Sequence, residues 1–421
     1  MTATHTALDV ARRSPKSCGS RADYWLFAYA NLPIDCHPSK KGGPMSRQIF
    51  IHIGGEKTGT TTLQRFLTRN TSELKKAGFF YPCEAHNICF ESIAHFPIAA
   101  SLVGQRVEFV SEKRQRTLPL VLGALTRLVE STDAPVILSC EHFSSRLTQA
   151  DQLTMLRAAL RTDDIKIIYY IREPSDLSLA AWSTGVRCGR TKAFNASDVT
   201  PENRYFNHLE PLKLWGSIFG DSNIIVREYN RSRLIGGDIR KDFCELLEIE
   251  LPRAQFENDE NQSFDSQRLQ VLSYVNCGLS QFHESENGWR RAQKLREIIS
   301  THIPCGESLN GSMSEQERTD IKLRFSEINR EISERYFDGR LSHDWFPDRN
   351  AEDPGIGSHS QSLDDITSIL RETVIRIADT CSDYEMRLRE VRPKRRRKLH
   401  KLLKRLRRRF FQSDSRATAQ P

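Results

Sequence analysis

Four short apolar segments constrain the fold of this chain most. They are Ile49–Ile53, Val136–Leu138, Ile165–Ile171 and Asn223–Arg227. Segments with helical periodicity lie between them, for example Thr60–Lys76, Leu118–Val129 and Leu209–Phe219. Continuously apolar strands that alternate with helices are typical of a parallel sheet covered on both faces. We therefore predict an α/β fold in which a parallel sheet is flanked by helices.

Composition divides the 421 residues into a core domain and several appended segments. Residues 1–44 lack periodicity and precede Met45, so they are either a disordered extension or the product of a mis-assigned start. We predict the core domain over 45–347, with a helical second half that includes Ser314–Tyr336. The remaining segments are a Gly/Ser/Asp linker over 348–362, a heptad-like helix over 363–391 and a basic tail over 392–421.

The net charge of +8 is concentrated in the tail. Residues 392–409 contain twelve of the 62 Lys and Arg residues, which leaves 50 basic against 54 acidic residues elsewhere. This distribution argues against a specific nucleic-acid-binding protein, whose basic residues would cover a face of the fold. Over 392–411 the apolar residues share one helical face, which suits an anionic membrane surface; a solvated tail is the alternative. The heptad-like positions over 363–388 suit self-association.

The sequence contains no signal peptide and no apolar run long enough to span a membrane. We expect a cytoplasmic protein, and a basic tail would allow a peripheral position at the inner membrane face. Its ten cysteines are scattered, without a C-x-x-C pair or a Cys/His metal spacing. Free thiols are therefore expected, and no metal site is predicted.

A glycine-rich loop follows the first predicted strand. Residues 49–67 read IFIHIGGEKTGTTTLQRFL. The loop directs backbone N–H groups and a helix N-terminus at one point, which suits a phosphate or sulfate group. The nucleotide-binding pattern G-x-x-x-x-G-K-[ST] is absent, because Lys57 precedes Gly59. A glycine-rich turn without a ligand is the alternative.

The segment GEKTGTTTL resembles the 5′-phosphosulfate loop of sulfotransferases that use 3′-phosphoadenylyl sulfate, usually written P-K-[ST]-G-T-[ST], with Glu56 in place of proline. The segment GFFYP at Gly78–Pro82 is similar to bacterial members, and the resemblance extends over roughly 46–346. It implies a sulfotransferase with that donor and no metal. The implied loop residues that bind the donor are Gly55, Lys57, Thr58, Gly59, Thr60 and Thr61.

Two further segments resemble donor-binding parts of this family. The resemblance implies that Arg172 binds the 3′-phosphate, as expected for a guanidinium at the end of a strand. A serine usually lies eight residues later, where this chain has Ala180, so Ser178 or Ser183 is a candidate replacement. Tyr229 matches the aromatic position beside the adenine, and packing in the core explains it equally well.

Sulfuryl transfer depends on positioning and charge stabilisation, as phosphoryl transfer does. The resemblance implies that Lys57 stabilises the leaving oxygen and that a base accepts the proton of the acceptor hydroxyl. Glu141 is the first candidate for this base and His142 the second. Because neighbouring side chains on a strand point in different directions, we expect only one of the two to reach the acceptor.

The resemblance to bacterial members and the basic tail indicate a carbohydrate or glycolipid acceptor. Two alternatives remain open. A nucleoside-triphosphate-dependent kinase would need a lysine after the last loop glycine and a magnesium-binding aspartate. A non-enzymatic polyanion- or membrane-binding protein would use the tail and leave the loop without a function.

Overall fold

The structure is a computed structural model of the whole chain. It describes residues 47–84, 87–104, 110, 112–256, 264–279, 286–303 and 313–346, together with a few positions between 367 and 376. The predicted extension 1–44, the linker 348–362, the basic tail 392–421 and most of the heptad-like helix lie outside the described residues. No helix in the described part is both long and apolar enough to cross a bilayer.

Four parallel strands form one sheet in the order β2-β1-β3-β4. The strands are β1 (Ile49–His52), β2 (Val136–Ser139), β3 (Ile165–Ile171) and β4 (Ile224–Glu228). Phe50 pairs with Ile137 on one side, and Ile49 pairs with Ile165 on the other. All four predicted strands are present, and the predicted α/β fold with a parallel sheet is confirmed. The chain direction across the sheet reverses at β1, where open α/β sheets form their ligand crevice.

Fourteen helices longer than three residues are described between residues 60 and 337, and most connect or follow these strands. They are α1 (Thr60–Arg69), α2 (Thr71–Lys76), α3 (Phe96–Val103), α4 (Glu112–Gln115), α5 (Leu118–Glu130), α6 (His142–Arg146), α7 (Ala150–Leu160), α8 (Pro174–Arg187), α9 (Leu209–Phe219), α10 (Ile239–Leu246), α11 (Ser266–Leu279), α12 (Glu286–His302), α13 (Glu315–Arg324) and α14 (Ser326–Phe337).

The sheet belongs to the first of two compact units, which comprises residues up to 173, 201–259 and 327–342. On one face of the sheet, Phe50, Ile168 and Tyr170 join a buried cluster with α1 and α10. Strand side chains alternate between faces, so Ile51 and Tyr169 lie on the other face. There the Tyr169 hydroxyl meets the ring of His208 next to α9. Both faces are therefore covered, which explains why the strands are apolar throughout.

The second unit comprises residues 174–200, 260–326 and 343 onward, and it is helical where described. Its core is formed by buried residues of α8 and α11, including Trp182 and Leu269, and by Ile303, which directly follows α12. Leu370, one of the heptad-like positions, packs against this cluster within the same unit. A capping box begins α13: Ser314 Oγ accepts from the backbone of Glu317, whose carboxylate accepts from Ser314 N–H.

Two predicted helices are interrupted. The helix predicted over 60–76 ends at Arg69, because the buried amide of Asn70 bonds the Phe66 carbonyl and both backbone groups of Gln255. The helix predicted over 314–336 is divided at Phe325, which lies between α13 and α14. Periodicity continues across both interruptions, and so the sequence pattern did not reveal them.

Candidate functional site

The site is built where the strands end at one edge of the sheet. Residues 54–59 follow β1, Glu141 lies two residues after β2, Arg172 follows β3 directly and Tyr229 follows β4 directly. Because the strands are parallel, their carboxyl ends meet at the same edge. All four strands thus supply a predicted site residue to the crevice beside β1.

The loop is a tight, partly left-handed turn. Gly54, Lys57 and Gly59 have φ values of 51°, 64° and 74°. The hydroxyl of Thr58 is buried and donates to the carbonyl of Gly55 at 2.7 Å. This hydroxyl therefore holds the loop closed. Because its hydrogen is used within the loop, Thr58 has only its backbone N–H to donate to an anionic ligand.

None of the three loop glycines has room for a side chain. A Cβ atom on Gly54 would lie 2.7 Å from the methyl group of the threonine that begins α1. A Cβ atom on Gly55 would lie 2.6 Å from the carbonyl oxygen of Tyr170, and one on Gly59 would lie 2.9 Å from the ring of Tyr229. Gly59 precedes α1, whose first turn contains no acidic residue and whose N-terminus lacks a side-chain capping bond. The N–H groups at the start of a helix need partners from elsewhere.

The helix start carries Thr60 and Thr61. Thr60 is buried and its methyl group approaches Gly54, while Thr61 is half-buried. The half-buried side chain of Lys57 forms no ion pair with any described residue. The loop thus combines an uncapped helix N-terminus, glycines without room for a side chain and a cationic side chain. These features suit the binding of an oxyanion such as a phosphate.

Arg172 is attached to this loop. Its Nη1 donates to the carbonyl of Lys57 at 3.0 Å, and its guanidinium lies 5.8 Å from the ring centre of Tyr229. The backbone of Arg172 is held by His208, whose Nε2 lies 2.8 Å from the Arg172 carbonyl oxygen. Burial lowers the pKa of His208 to about 4, so the ring is neutral at pH 7. The structure therefore brings together Lys57, Gly59, Arg172 and Tyr229.

Tyr229 extends the contact between strand and loop. Its N–H donates to the carbonyl of Ile171 at 2.7 Å, and its half-buried ring packs against the cluster that contains α1.

Ser178 differs from the other candidates because it lies in α8, in the second compact unit. There its buried hydroxyl donates to the carbonyl of Ser175 at 2.7 Å. Its hydroxyl hydrogen is therefore used within its own helix.

Glu141 and His142 do not lie on a strand, and that expectation was wrong. Strand β2 ends at Ser139, and the chain turns into α6, with Glu141 before its first residue and His142 at the start. The ring of His142 packs edge-to-face on Phe96, with centroids 5.3 Å apart. Glu141 instead reaches α1, where its Oε2 accepts from Nε2 of Gln64 at 2.7 Å. The two candidates thus have different environments because a helix begins here.

Several site contacts were not predicted from the sequence. The hydroxyl of Ser144 donates to the carbonyl of Gly54 at 2.5 Å, which ties α6 to the loop. Burial and the neighbouring Glu56 carboxylate, to which the phenol is hydrogen-bonded, raise the pKa of Tyr205. For Gln64 the sequence did contain one indication of a position near the site. It lies four residues after Thr60, so both residues face the same side of α1. For the others the sequence contains no signal, since they are distant in the chain.

Arg227 has a structural role. A charged residue in an apolar strand is expected to have an anionic partner. That partner is the fully buried Asp242 of α10, whose Oδ1 lies 2.5 Å from Nη2 of Arg227. The Tyr170 hydroxyl also donates to Asp242, at 2.8 Å. The three side chains join β3, β4 and α10. Two nitrogens of the Arg227 guanidinium, Nε and Nη2, are already hydrogen-bonded to the Asp242 carboxylate.

Comparison with known proteins adds three findings. No known family's sequence profile matches the chain. An uncharacterized protein of Archaeoglobus fulgidus is 26% identical over 203 residues, which are 48% of this chain and 54% of that protein. The chain therefore spans about half the length of this relative. A crystal structure of a sulfotransferase from Alicyclobacillus acidocaldarius aligns with 59% of this chain and all of its own, with 17% identity and a TM-score of 0.29. A TM-score this small supports no conclusion on function.

Proposed function

We propose that this chain is a sulfotransferase that moves a sulfuryl group from 3′-phosphoadenylyl sulfate to a hydroxyl acceptor. One observation carries the proposal. The guanidinium of Arg172 is bonded to the phosphate-binding loop at the Lys57 carbonyl, so two cationic side chains and an uncapped helix N-terminus lie together. The donor has anionic groups at both its 5′ and 3′ positions, and the two cations suit them separately.

The loop residues would bind the 5′-phosphosulfate through backbone N–H groups of 55–61. Gly55 and Gly59 suit this role because their backbone approaches neighbouring groups too closely for a side chain. Thr60 and Thr61 contribute the N–H groups at the start of α1. Tyr229 would lie beside the adenine, and its contact with Gly59 joins the base-binding and phosphate-binding parts.

Each chemical step would use a group of this site. The acceptor oxygen attacks sulfur, a new S–O bond forms, and the bond between sulfur and the bridging oxygen of the donor breaks. The electron pair leaves with that oxygen on the 5′-phosphate, where the Lys57 ammonium stabilises the charge. The acceptor proton moves to a base. The products are the sulfated acceptor and adenosine 3′,5′-bisphosphate.

Glu141 is the better candidate for the base. Its carboxylate reaches α1, the helix that follows the phosphate-binding loop, by its bond to Gln64. Its Oε1 has no hydrogen bond to any described residue, so this oxygen remains for a proton. His142 packs against Phe96 instead. A carboxylate with one oxygen held and the other unbonded could take the proton of a hydroxyl placed within hydrogen-bond reach.

Calorimetry with adenosine 3′,5′-bisphosphate tests the donor site. We expect binding by the wild type, and a roughly ten- to hundredfold loss of affinity in Lys57→Ala and in Arg172→Ala, since each removes a charged contact. Arg157→Ala is the matched control, because Arg157 lies on α7 and bonds Ile218 and Asp163. Absence of binding, or equal affinity in all variants, would contradict the proposal. Magnesium-dependent ATP turnover would favour the kinase alternative.

The acceptor and the tail are separate parts of the proposal. A carbohydrate or glycolipid acceptor is tested by comparing sulfated glycans and lipids of cells with and without the protein.

The twelve cations of residues 392–409 would hold the enzyme at an anionic membrane surface. Deletion of residues 392–421 should then abolish binding to anionic vesicles and leave the affinity for adenosine 3′,5′-bisphosphate unchanged. Equal vesicle binding after deletion would exclude this role of the tail.

A further inference from the structure

The side chain of Gln64 is an unusual feature of α1. It is 1% exposed and lies between Leu63 and Leu67, both of which belong to the buried cluster beneath the sheet. Burying an amide without a hydrogen bond is unfavourable, because the group loses its hydrogen bonds to water. A leucine or methionine would fill this position at lower cost, so packing does not explain a glutamine.

The amide of Gln64 has a specific partner. Its Nε2 donates to Oε2 of Glu141 at 2.7 Å, a short distance that is typical of a hydrogen bond to a charged acceptor. An ionised carboxylate only accepts, so the amide must present its NH₂ group to it. The bond holds one oxygen of Glu141 in place and leaves Oε1 without a bond to any described residue.

The backbone of Glu141 is held as firmly as its side chain. The Ser144 hydroxyl, which donates to the Gly54 carbonyl, also lies 3.1 Å from the Glu141 carbonyl oxygen. A Cβ atom on Gly54 would lie 3.3 Å from the Cα of Glu141, so the loop and the start of α6 are in close contact. Glu141 is thus attached to the loop through its backbone and to α1 through its carboxylate.

We propose that Gln64 is a positioning residue that orients the Glu141 carboxylate toward the acceptor oxygen. This inference rests on the proposed function, because it gives Glu141 the role of base. Gln64 touches neither donor nor acceptor. It acts through Glu141, by fixing Oε2 so that Oε1 points to the proton it removes. A misplacement of about 1 Å in such a group lowers a rate by about a hundredfold.

The test compares Gln64→Met, Glu141→Gln and the double variant. Gln64→Met keeps the side-chain volume and removes the donor. The reaction is donor turnover with water as acceptor, followed as release of adenosine 3′,5′-bisphosphate and sulfate, so no acceptor has to be known. We expect kcat to fall ten- to hundredfold in Gln64→Met, with KM for the donor within twofold of wild type. In the Glu141→Gln background, Gln64→Met should cause no further fall, since the two residues act as a unit.

Two further variants control for damage to α1. Thr68→Val removes a hydroxyl one turn along the same helix and should leave kcat within twofold. Gln64→Leu also removes the donor and keeps an apolar side chain that suits a helix, so it should reproduce Gln64→Met even if that variant folds poorly. Calorimetry with adenosine 3′,5′-bisphosphate shows for every variant whether the donor site is formed.

Three results for the Gln64→Met substitution would overturn the inference. They are an unchanged kcat in Gln64→Met, an equal loss of kcat with and without Glu141, and a loss of donor affinity that parallels the loss of kcat. If Glu141→Gln is as active as wild type, the base assignment fails and the inference with it. The donor site is judged separately, because absence of adenosine 3′,5′-bisphosphate binding in the wild type is the result that defeats the proposed function itself.

Discussion

At the scale of single residues, Gly59 is constrained both by its backbone conformation and by a neighbouring ring. Its φ of 74° is left-handed, and a Cβ atom there would lie 2.9 Å from the ring of Tyr229. Gly59→Ala should therefore lower the affinity for adenosine 3′,5′-bisphosphate at least tenfold, because Tyr229 or the loop must move. Isothermal titration calorimetry of the purified variant measures this loss.

Gly339 provides a matched control for this substitution. Its φ is also 74°, and nothing lies within 4 Å of a Cβ atom there. Both alanine variants should lose about 1 to 2 kcal/mol of unfolding free energy from the left-handed backbone. Only Gly59→Ala should lose donor affinity. Equal affinities of the two variants would show that the contact between Gly59 and Tyr229 is unimportant for binding.

Arg227 should behave as a structural residue. Arg227→Ala leaves the fully buried Asp242 without its cation, which should lower the free energy of unfolding by about 3 kcal/mol. The hydroxyl of Tyr170 still donates to Asp242, so the protein is expected to fold. The affinity for adenosine 3′,5′-bisphosphate should stay within twofold of wild type. Urea denaturation and calorimetry measure the two quantities, and a large loss of affinity would assign Arg227 to the donor site.

At the scale of secondary structure elements, Asn70 separates two helices that periodicity joins. Asn70→Ala removes the bonds to both backbone groups of Gln255 and to the Phe66 carbonyl. Unsatisfied buried backbone groups should lower the free energy of unfolding by about 2 kcal/mol. Thr71→Ala, next to it at the start of α2, should cost less than about 1 kcal/mol. Chemical denaturation compares the two, and equal costs would contradict this account of the junction.

The strands and most helices could be predicted from the sequence for a physical reason. A strand buried on both faces must be apolar throughout, and Ile165–Ile171 is an example. The helix Phe96–Val103 was missed, because only Ser101 interrupts its apolar residues, so it lacks the polar face that marks a helix at a surface. The start of α6 directly after β2 was also missed, since a five-residue helix has too few residues to show a period.

The site could be predicted where its residues are adjacent in the chain. The loop of residues 54–59 and Arg172 follow strands directly, so their placement at the sheet edge follows from the fold. The contact between Gln64 and Glu141 joins residues 77 positions apart. Such a contact depends on which helix lies beside which strand end, and a single sequence carries no signal for it.

At the scale of the whole molecule, three buried histidines should make stability depend on pH. Burial lowers the pKa of His52 to about 3 and that of His95 to about 4, and His208 is similar. In His95 the Nδ1 atom accepts from Ser139 N–H and Nε2 meets the Pro82 carbonyl, so no acceptor remains for a second proton. All three rings are neutral in the folded protein near pH 7.

The direction of the effect follows from proton uptake. In the unfolded chain these histidines take up protons near pH 6.5, whereas in the folded protein they do so only near pH 3 to 4. Their contribution to stability is complete above pH 6.5 and is lost as the pH falls toward 4. Urea denaturation should show a loss of about 3 to 4 kcal/mol between pH 6 and pH 5. His52→Asn should reduce this dependence by about a third, and a flat profile would contradict it.

Lys57 illustrates a conflict between what stabilises this chain and what its loop is proposed to do. A side chain with φ of 64° costs about 1 to 2 kcal/mol relative to glycine. Selection for thermal stability alone would thus favour Lys57→Gly. A thermostability screen should recover this variant as a more stable protein without sulfuryl-transfer activity. Mutant libraries designed to stabilise this protein should keep Lys57 unchanged, because at this position the residue that is best for stability differs from the residue that is needed for activity.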